Sequence, residues 1–147
     1  MTEGRIEPDG AWTLSCELFL PHFGSLALDV TFQLDPAQER TLLLPEDWGR
    51  IPALGALMDL PAEYRLPTFG GPARAWETPA FLRIEDGDLH YLYNLSLVVV
   101  TESPATDRQR SRLGRDVLNQ WLMVSDPAER RITVLPQTWD AQLAREG

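Results

Sequence analysis

The chain contains no lysine: all 13 basic residues are arginine, and 22 acidic residues outnumber them, leaving a formal net charge of -9. The arginine bias reads as a coding preference, but the charge balance excludes partners that require a basic face, such as nucleic-acid backbones and anionic membranes. The one basic cluster, Arg108, Arg110, Arg112 and Arg115, is too short to reverse that balance and reads as a solvated loop. A single cysteine, Cys16, excludes an internal disulfide framework and a cysteine-based zinc site. The two histidines, His22 and His90, lie far apart without metal-ligand spacing, so no metal or other cofactor is expected. No apolar run approaches the roughly 18 residues of a membrane-spanning helix. The first ten residues are polar and acidic, unlike a signal peptide. P-loop, Gly-x-Gly-x-x-Gly and Gly-x-Ser-x-Gly signatures are also missing. These exclusions leave a single-domain, cytoplasmic protein as the expectation.

What the sequence does have is alternation. At 147 residues and 44% hydrophobic content, it can build one real core. From Trp12 the residues Trp12, Leu14, Cys16, Leu18 and Leu20 alternate with polar ones, as in a strand with one buried face. A turn at 21–25 leads to a second such strand, carrying Leu26, Leu28, Val30, Phe32 and Leu34, and a hairpin is the natural pairing. A loop at 35–39 precedes a short apolar strand at 41–44. Pro45-Glu46-Asp47 then suits the first turn of a short helix ending before Pro52.

The segment 66–76 contains Pro67, Gly70, Gly71 and Pro72 and reads as an exposed loop or hairpin tip rather than a central strand. Strands at 81–85 and 89–100 flank an Asp-Gly turn, and 102–112 reads as a polar surface loop. Helical spacing of Val117, Leu118 and Trp121 predicts a helix over 115–122. Strands are expected at 122–124 and 131–135 around a turn at 125–129, and a last helical segment over 138–145. Many short strands with two short helices indicate a mostly-β barrel or sandwich. The expected organisation is a polar N-terminal tail over 1–10, one domain over 11–136 and a C-terminal extension over 137–147.

Order along the chain adds a constellation. An apolar strand ends in Leu34-Asp35, and a tight loop is followed by Glu39-Arg40-Thr41-Leu42-Leu43-Leu44-Pro45. Then come Phe69-Gly70-Gly71, paired strands, and Leu113-Gly114-Arg115-Asp116-Val117-Leu118-Asn119. This arrangement resembles the retropepsin-like aspartic proteases, the single-domain relatives of retroviral protease, over roughly residues 26–135. The resemblance implies a small closed β-barrel that works as a homodimer on peptide or protein substrates. It implies Asp35 as the catalytic residue, one per subunit, with Ala37, Phe69, Gly70 and Gly71 at the substrate. The glycine pair would form a flap and one of the more mobile segments. Glu39, Thr41, Gly114, Arg115 and Asp116 would support the loop, with an Arg115–Glu39 ion pair. In such a site two carboxylates share one proton and activate a water for peptide hydrolysis.

The active-site loop departs from the family pattern. Asp-Thr-Gly-Ala stands here as Asp35-Pro36-Ala37-Gln38. Proline has neither the hydroxyl nor the N–H that grips the other subunit, and alanine adds a Cβ where glycine bends freely. Three readings therefore stand: a homodimeric aspartic endopeptidase, a catalytically inactive pseudo-protease that binds a peptide or protein, and a purely structural accessory domain. Restoring Pro36→Thr and Ala37→Gly is expected to rebuild the loop if Asp35 holds the catalytic position.

Overall fold

The computed structural model describes residues 2–23, 26–49, 62–66, 71–102, 110–136 and 141–145; for 62–66, 71–74, 101–102 and 141–145 it describes the backbone only. Among the described residues eleven strands carry the fold. They are β1 (Thr2–Ile6), β2 (Trp12–Leu20), β3 (Leu26–Leu34), β4 (Leu42–Leu43), β5 (Ala62–Leu66), β6 (Gly71–Asp86), β7 (Leu89–Glu102), β8 (Arg112–Leu113), β9 (Trp121–Asp126), β10 (Arg131–Pro136) and β11 (Ala141–Arg145). Among the described residues two one-turn α-helices, α1 (Pro45–Trp48) and α2 (Arg115–Leu118), follow β4 and β8, and a 3-10 turn spans Pro21–Phe23. The strand order is β5-β6-β7-β4-β8-β3-β2-β1-β10-β9, with β11 beside β7. Pairing of β2 with β6 joins the path back on itself, so β6, β7, β4, β8, β3 and β2 form a closed ring. The mostly-β, closed architecture expected from the sequence is what the chain adopts.

The alternating hairpin builds the core. β2 and β3 pair antiparallel with Cys16 opposite Val30 and Leu18 opposite Leu28. Leu14, Leu18, Leu20, Val30 and Phe32 point into the ring and are almost wholly buried. β6 and β7 supply Leu82, Ile84, Tyr93, Leu97 and Val99 from the other side. Each fully buried leucine or phenylalanine contributes roughly 2 kcal/mol of hydrophobic stabilisation. A smaller cluster of Leu42, Leu44, Ala75, Val98 and Val100 lies where β4 meets β7. The β6–β7 hairpin turns at Gly87, whose φ of 64° suits the first corner of a two-residue loop.

Several local expectations are corrected. Residues 71–76 are the start of β6 rather than a loop, although Pro72 and Pro79 both lie in this strand. Each proline sits where β6 has a partner on one side alone: Pro72 opposite Arg65 of β5, Pro79 opposite Ser96 of β7. A missing N–H costs no ladder bond at such a position when it faces the unpaired side of the strand. The helix expected over 115–122 stops at Leu118, and Trp121 and Leu122 belong to β9. As a strand residue Trp121 turns into the core and meets Tyr93 edge-on, with ring centroids 6.0 Å apart. Residues 141–145 form β11 rather than a helix, pairing with 89–93 of β7. Residues 2–6, read from the sequence as a polar tail, form β1 between β10 and β2. No helix among the described residues is long and apolar enough to cross a membrane.

Burial leaves a signature in the alkaline range. It pushes the Cys16 thiol well above its ordinary 9.0 and the Tyr93 phenol from 10.0 up to about 12. Both groups fold protonated, so their contribution is intact below the unfolded pKa values and is lost as pH rises past them. The unfolding free energy read from urea titrations is therefore expected to fall from about pH 9 upward, by as much as ~1.4 kcal/mol per pH unit for each group. Cys16→Val should remove the part that begins near pH 9, while the tyrosine part, beginning near pH 10, remains.

Candidate functional site

β3 delivers Asp35 at its end, and β8 lies parallel to β3 with Gln33 opposite Arg112 and Leu34 opposite Leu113. The backbone N–H of Asp35 extends this pairing by donating to the carbonyl of Leu113 at 3.0 Å. The chain then turns over Asp35-Pro36-Ala37-Gln38, closed by the Gln38 N–H on the Asp35 carbonyl at 3.1 Å. Proline at the second position pre-sets φ for such a turn. The Asp35 side chain reinforces it, because Oδ1 accepts the Ala37 N–H at 3.0 Å. Pro36 and Ala37 are exposed, whereas Asp35 is buried.

The second carboxylate oxygen of Asp35 is occupied by an arginine. Arg112 donates to Oδ2 at 2.6 Å. The two side chains are only 13% and 11% exposed, so this is a largely buried ion pair. Arg112 was assigned from sequence to a solvated basic loop. The parallel β3–β8 contact joins two residues 77 positions apart, and no local pattern signals it.

Behind the loop the residues expected as its support converge, with one exception. Asp116 accepts the Thr41 hydroxyl on Oδ1 at 2.8 Å and the Thr41 N–H on Oδ2 at 3.0 Å. The Thr41 hydroxyl in turn accepts the Gly114 N–H at 3.3 Å. The first N–H groups of α2, which have no partner inside a helix, go to the loop: Arg115 N–H to the Gln38 carbonyl at 2.8 Å and Asp116 N–H to the Glu39 carbonyl at 3.1 Å. Gly114 is required by proximity, since a Cβ there would lie 2.5–2.8 Å from the Arg40 backbone. Ser111, which the sequence did not single out, is fully buried beside the site. It donates from its hydroxyl to Asp47 at 2.5 Å and accepts the Leu44 N–H at 2.9 Å.

The exception is the Arg115–Glu39 pair. Both side chains are exposed on one open hollow that they share with Arg40, Asp116 and Asn119, and no ion pair between them occurs among the described residues. Arg40 makes the ion pair at this end instead, donating to Glu77 and, at 3.0 Å, to the Ser96 carbonyl. Of the expected flap, Gly71 opens β6 opposite Leu66. Phe69 and Gly70, and with them the expected mobility, lie outside the described residues. No group of three or more His, Cys, Asp or Glu residues suited to a metal ion occurs among the described residues.

The fold now has a comparison. The structure is similar to that of a retropepsin-like aspartic protease from Rickettsia conorii, with a TM-score of 0.56 and 17% identity, over 92% of this chain and 89% of that one. The chain therefore has the retropepsin-like fold. No family model matches the sequence, and no curated protein matches it either.

The two arginines separate cleanly in their expected effects. Arg112→Ala strands a largely buried carboxylate and should cost on the order of 3 kcal/mol in urea unfolding. The Asp35→Ala, Arg112→Ala double variant should cost less than the sum of the single ones, because the two share one contact. Arg115→Ala, at an exposed side chain, should change stability by no more than about 0.5 kcal/mol.

Proposed function

We propose that this chain is a retropepsin-fold protein that binds an extended peptide or a protein partner without hydrolysing it. The observation that carries this reading is the Arg112–Asp35 ion pair. An aspartic dyad works because two adjacent carboxylates cannot both be ionised, so they hold one proton between them and a water across them. Here one oxygen accepts instead from the Arg112 guanidinium, a positive partner where a dyad would need a second carboxyl group. The other oxygen is spent on the Ala37 N–H. Pro36 has also lost the donor through which the loop would grip a second subunit. A single, buried thiol fits a reducing, cytoplasmic setting.

The endopeptidase reading requires the same Asp35 to be released from Arg112 and paired with another Asp35. The two readings part in one experiment. Incubated with a mixed peptide library from about pH 4 to about pH 7, where shared-proton dyads operate, the wild-type chain should give no cleavage beyond that of Asp35→Asn. Mass spectrometry reads the products, and cleavage that disappears in Asp35→Asn would overturn the reading. The library passed over the immobilised protein should yield an enriched set recovered intact, and a library returned without enrichment removes the binding half of the proposal. Pro36→Thr with Ala37→Gly alone should remain inert, because Arg112 still holds the carboxylate.

A further inference from the structure

A short seam closes the ring. β2 and β6 pair at three positions, Glu17 opposite Arg83, Leu18 opposite Leu82 and Phe19 opposite Phe81. Nearer its start β2 pairs with β1 instead, at Trp12 and Thr13. Between these two partners β2 runs along a polar hollow lined by Ser15, Glu17, Asp29, Arg83 and Glu85. Arg83 therefore stands at the open end of the seam, and its guanidinium spans three strands. Nη1 donates to Glu17 of β2 at 3.1 Å, and Nε donates to Nδ1 of His90 on β7 at 2.7 Å. Nη2 lies 3.1 Å from Glu85 on β6 itself. The carboxylates reach solvent, but the His90 side chain is only 9% exposed.

An imidazole nitrogen that accepts a hydrogen bond carries no hydrogen, so the Arg83–His90 contact exists only while His90 is neutral. A proton on Nδ1 turns the acceptor into a donor and sets two cations side by side where little water reaches. We propose that His90 is an acid-sensitive latch on the seam: its protonation expels Arg83 from Nδ1 and opens the β2–β6 pairing from the Glu17–Arg83 end. The charged groups around the ring fix the direction of the change. From β6 come Arg83 and Glu85, whose carboxylate stands 3.8 Å from Nδ1 and takes the protonated ring. From β2 comes Glu17, which reaches the ring through Arg83. β11 sets Ala144 opposite His90 and its one charged residue, Arg145, opposite Leu89. Arg83, having lost Nδ1 and its hold on Glu85, moves outward into the hollow, where Glu17 and Asp29 stand opposite each other. The last pair of the seam then has no clamp to β7. The latch does not depend on what Asp35 does.

Nuclear magnetic resonance of the full chain tests the latch, with the exposed His22 as the reference histidine. At about pH 8 His90 should carry its hydrogen on Nε2 and none on Nδ1, and the opposite tautomer overturns the proposal. Between about pH 8 and about pH 5.5, the slowly exchanging amides of 17–19 and 81–83 should open at least about tenfold more often, after correction for the intrinsic exchange rate. The amides of Val30 and Leu97, in the core, should keep their protection. Seam amides that keep theirs overturn the proposal, and so does an equal loss at Val30 and Leu97, which is unfolding of the whole chain. His90→Asn retains an acceptor near the position of Nδ1 and takes up no proton, so its seam should stay closed across the same range. A folded His90→Asn that opens in acid like the wild type shows that His90 is not the latch. Arg83→Met decides the matter should His90→Asn fail to fold: with no guanidinium to expel, seam protection should be independent of pH while His90 still titrates. A seam that still opens tenfold in Arg83→Met overturns the proposal.

Discussion

The hold of Asp116 on Thr41 fixes the point where two distant stretches of chain cross, and the candidate site exists only because of that crossing. One carboxylate takes both the hydroxyl and the N–H of Thr41. This brings the start of α2 against the loop that follows Asp35, where the first two amides of α2 find the carbonyls of Gln38 and Glu39. Neither a side-chain cap nor a long helix is needed, because the loop itself caps the helix. Gly114 permits the approach, since any larger residue would push the Arg40 backbone away. With the crossing fixed, β8 lies parallel to β3, and Arg112 reaches Asp35.

A carboxylate buried at the end of an apolar strand must be compensated, and the loop sequence determines by what. With threonine and glycine after it, the loop could present amides and a hydroxyl to a second subunit. With Pro36 and Ala37 it offers one amide, and that amide turns back onto the same carboxylate. Arg112 supplies the rest of the compensation from within the chain. Such a pair recovers little net stability, because both ions lose their hydration, but removing either partner leaves an uncompensated charge. Asp35 and Arg112 therefore constrain each other.

The fold was legible where the sequence alternates. The β2–β3 hairpin, with Leu14, Leu18, Val30 and Phe32 inward, follows from period two alone. It was less legible where a strand changes neighbours along its length. β6 meets β5, then β7, then β2, and its prolines fall in the singly paired stretches, so a rule against proline in central strands misplaced 71–76. Trp121 satisfied a helical spacing and a strand burial pattern equally, and contact with Tyr93 decided between them. In the site, Thr41, Gly114 and Asp116 meet across more than seventy positions of sequence, a contact that no local pattern encodes and that only the order of the two segments along the chain suggested. Arg115 and Glu39 did not pair, and Arg112 was missed, because long side chains choose partners by three-dimensional neighbours that spacing does not encode.

Closure of the ring determines where anything else can attach. Some of its contacts are short: β3 meets β8 only at Gln33 and Leu34, and β6 meets β2 only over 81–83, while β1, β5 and β11 join ring strands from outside. Among the described residues β9 pairs with β10 alone, outside the ring, and carries an apolar outward face. Asp35, by contrast, is held between β3 and β8 with both oxygens engaged. The hairpin of β9 and β10 is built from its own ladder and from its contact with β1, not from the Asp35 loop.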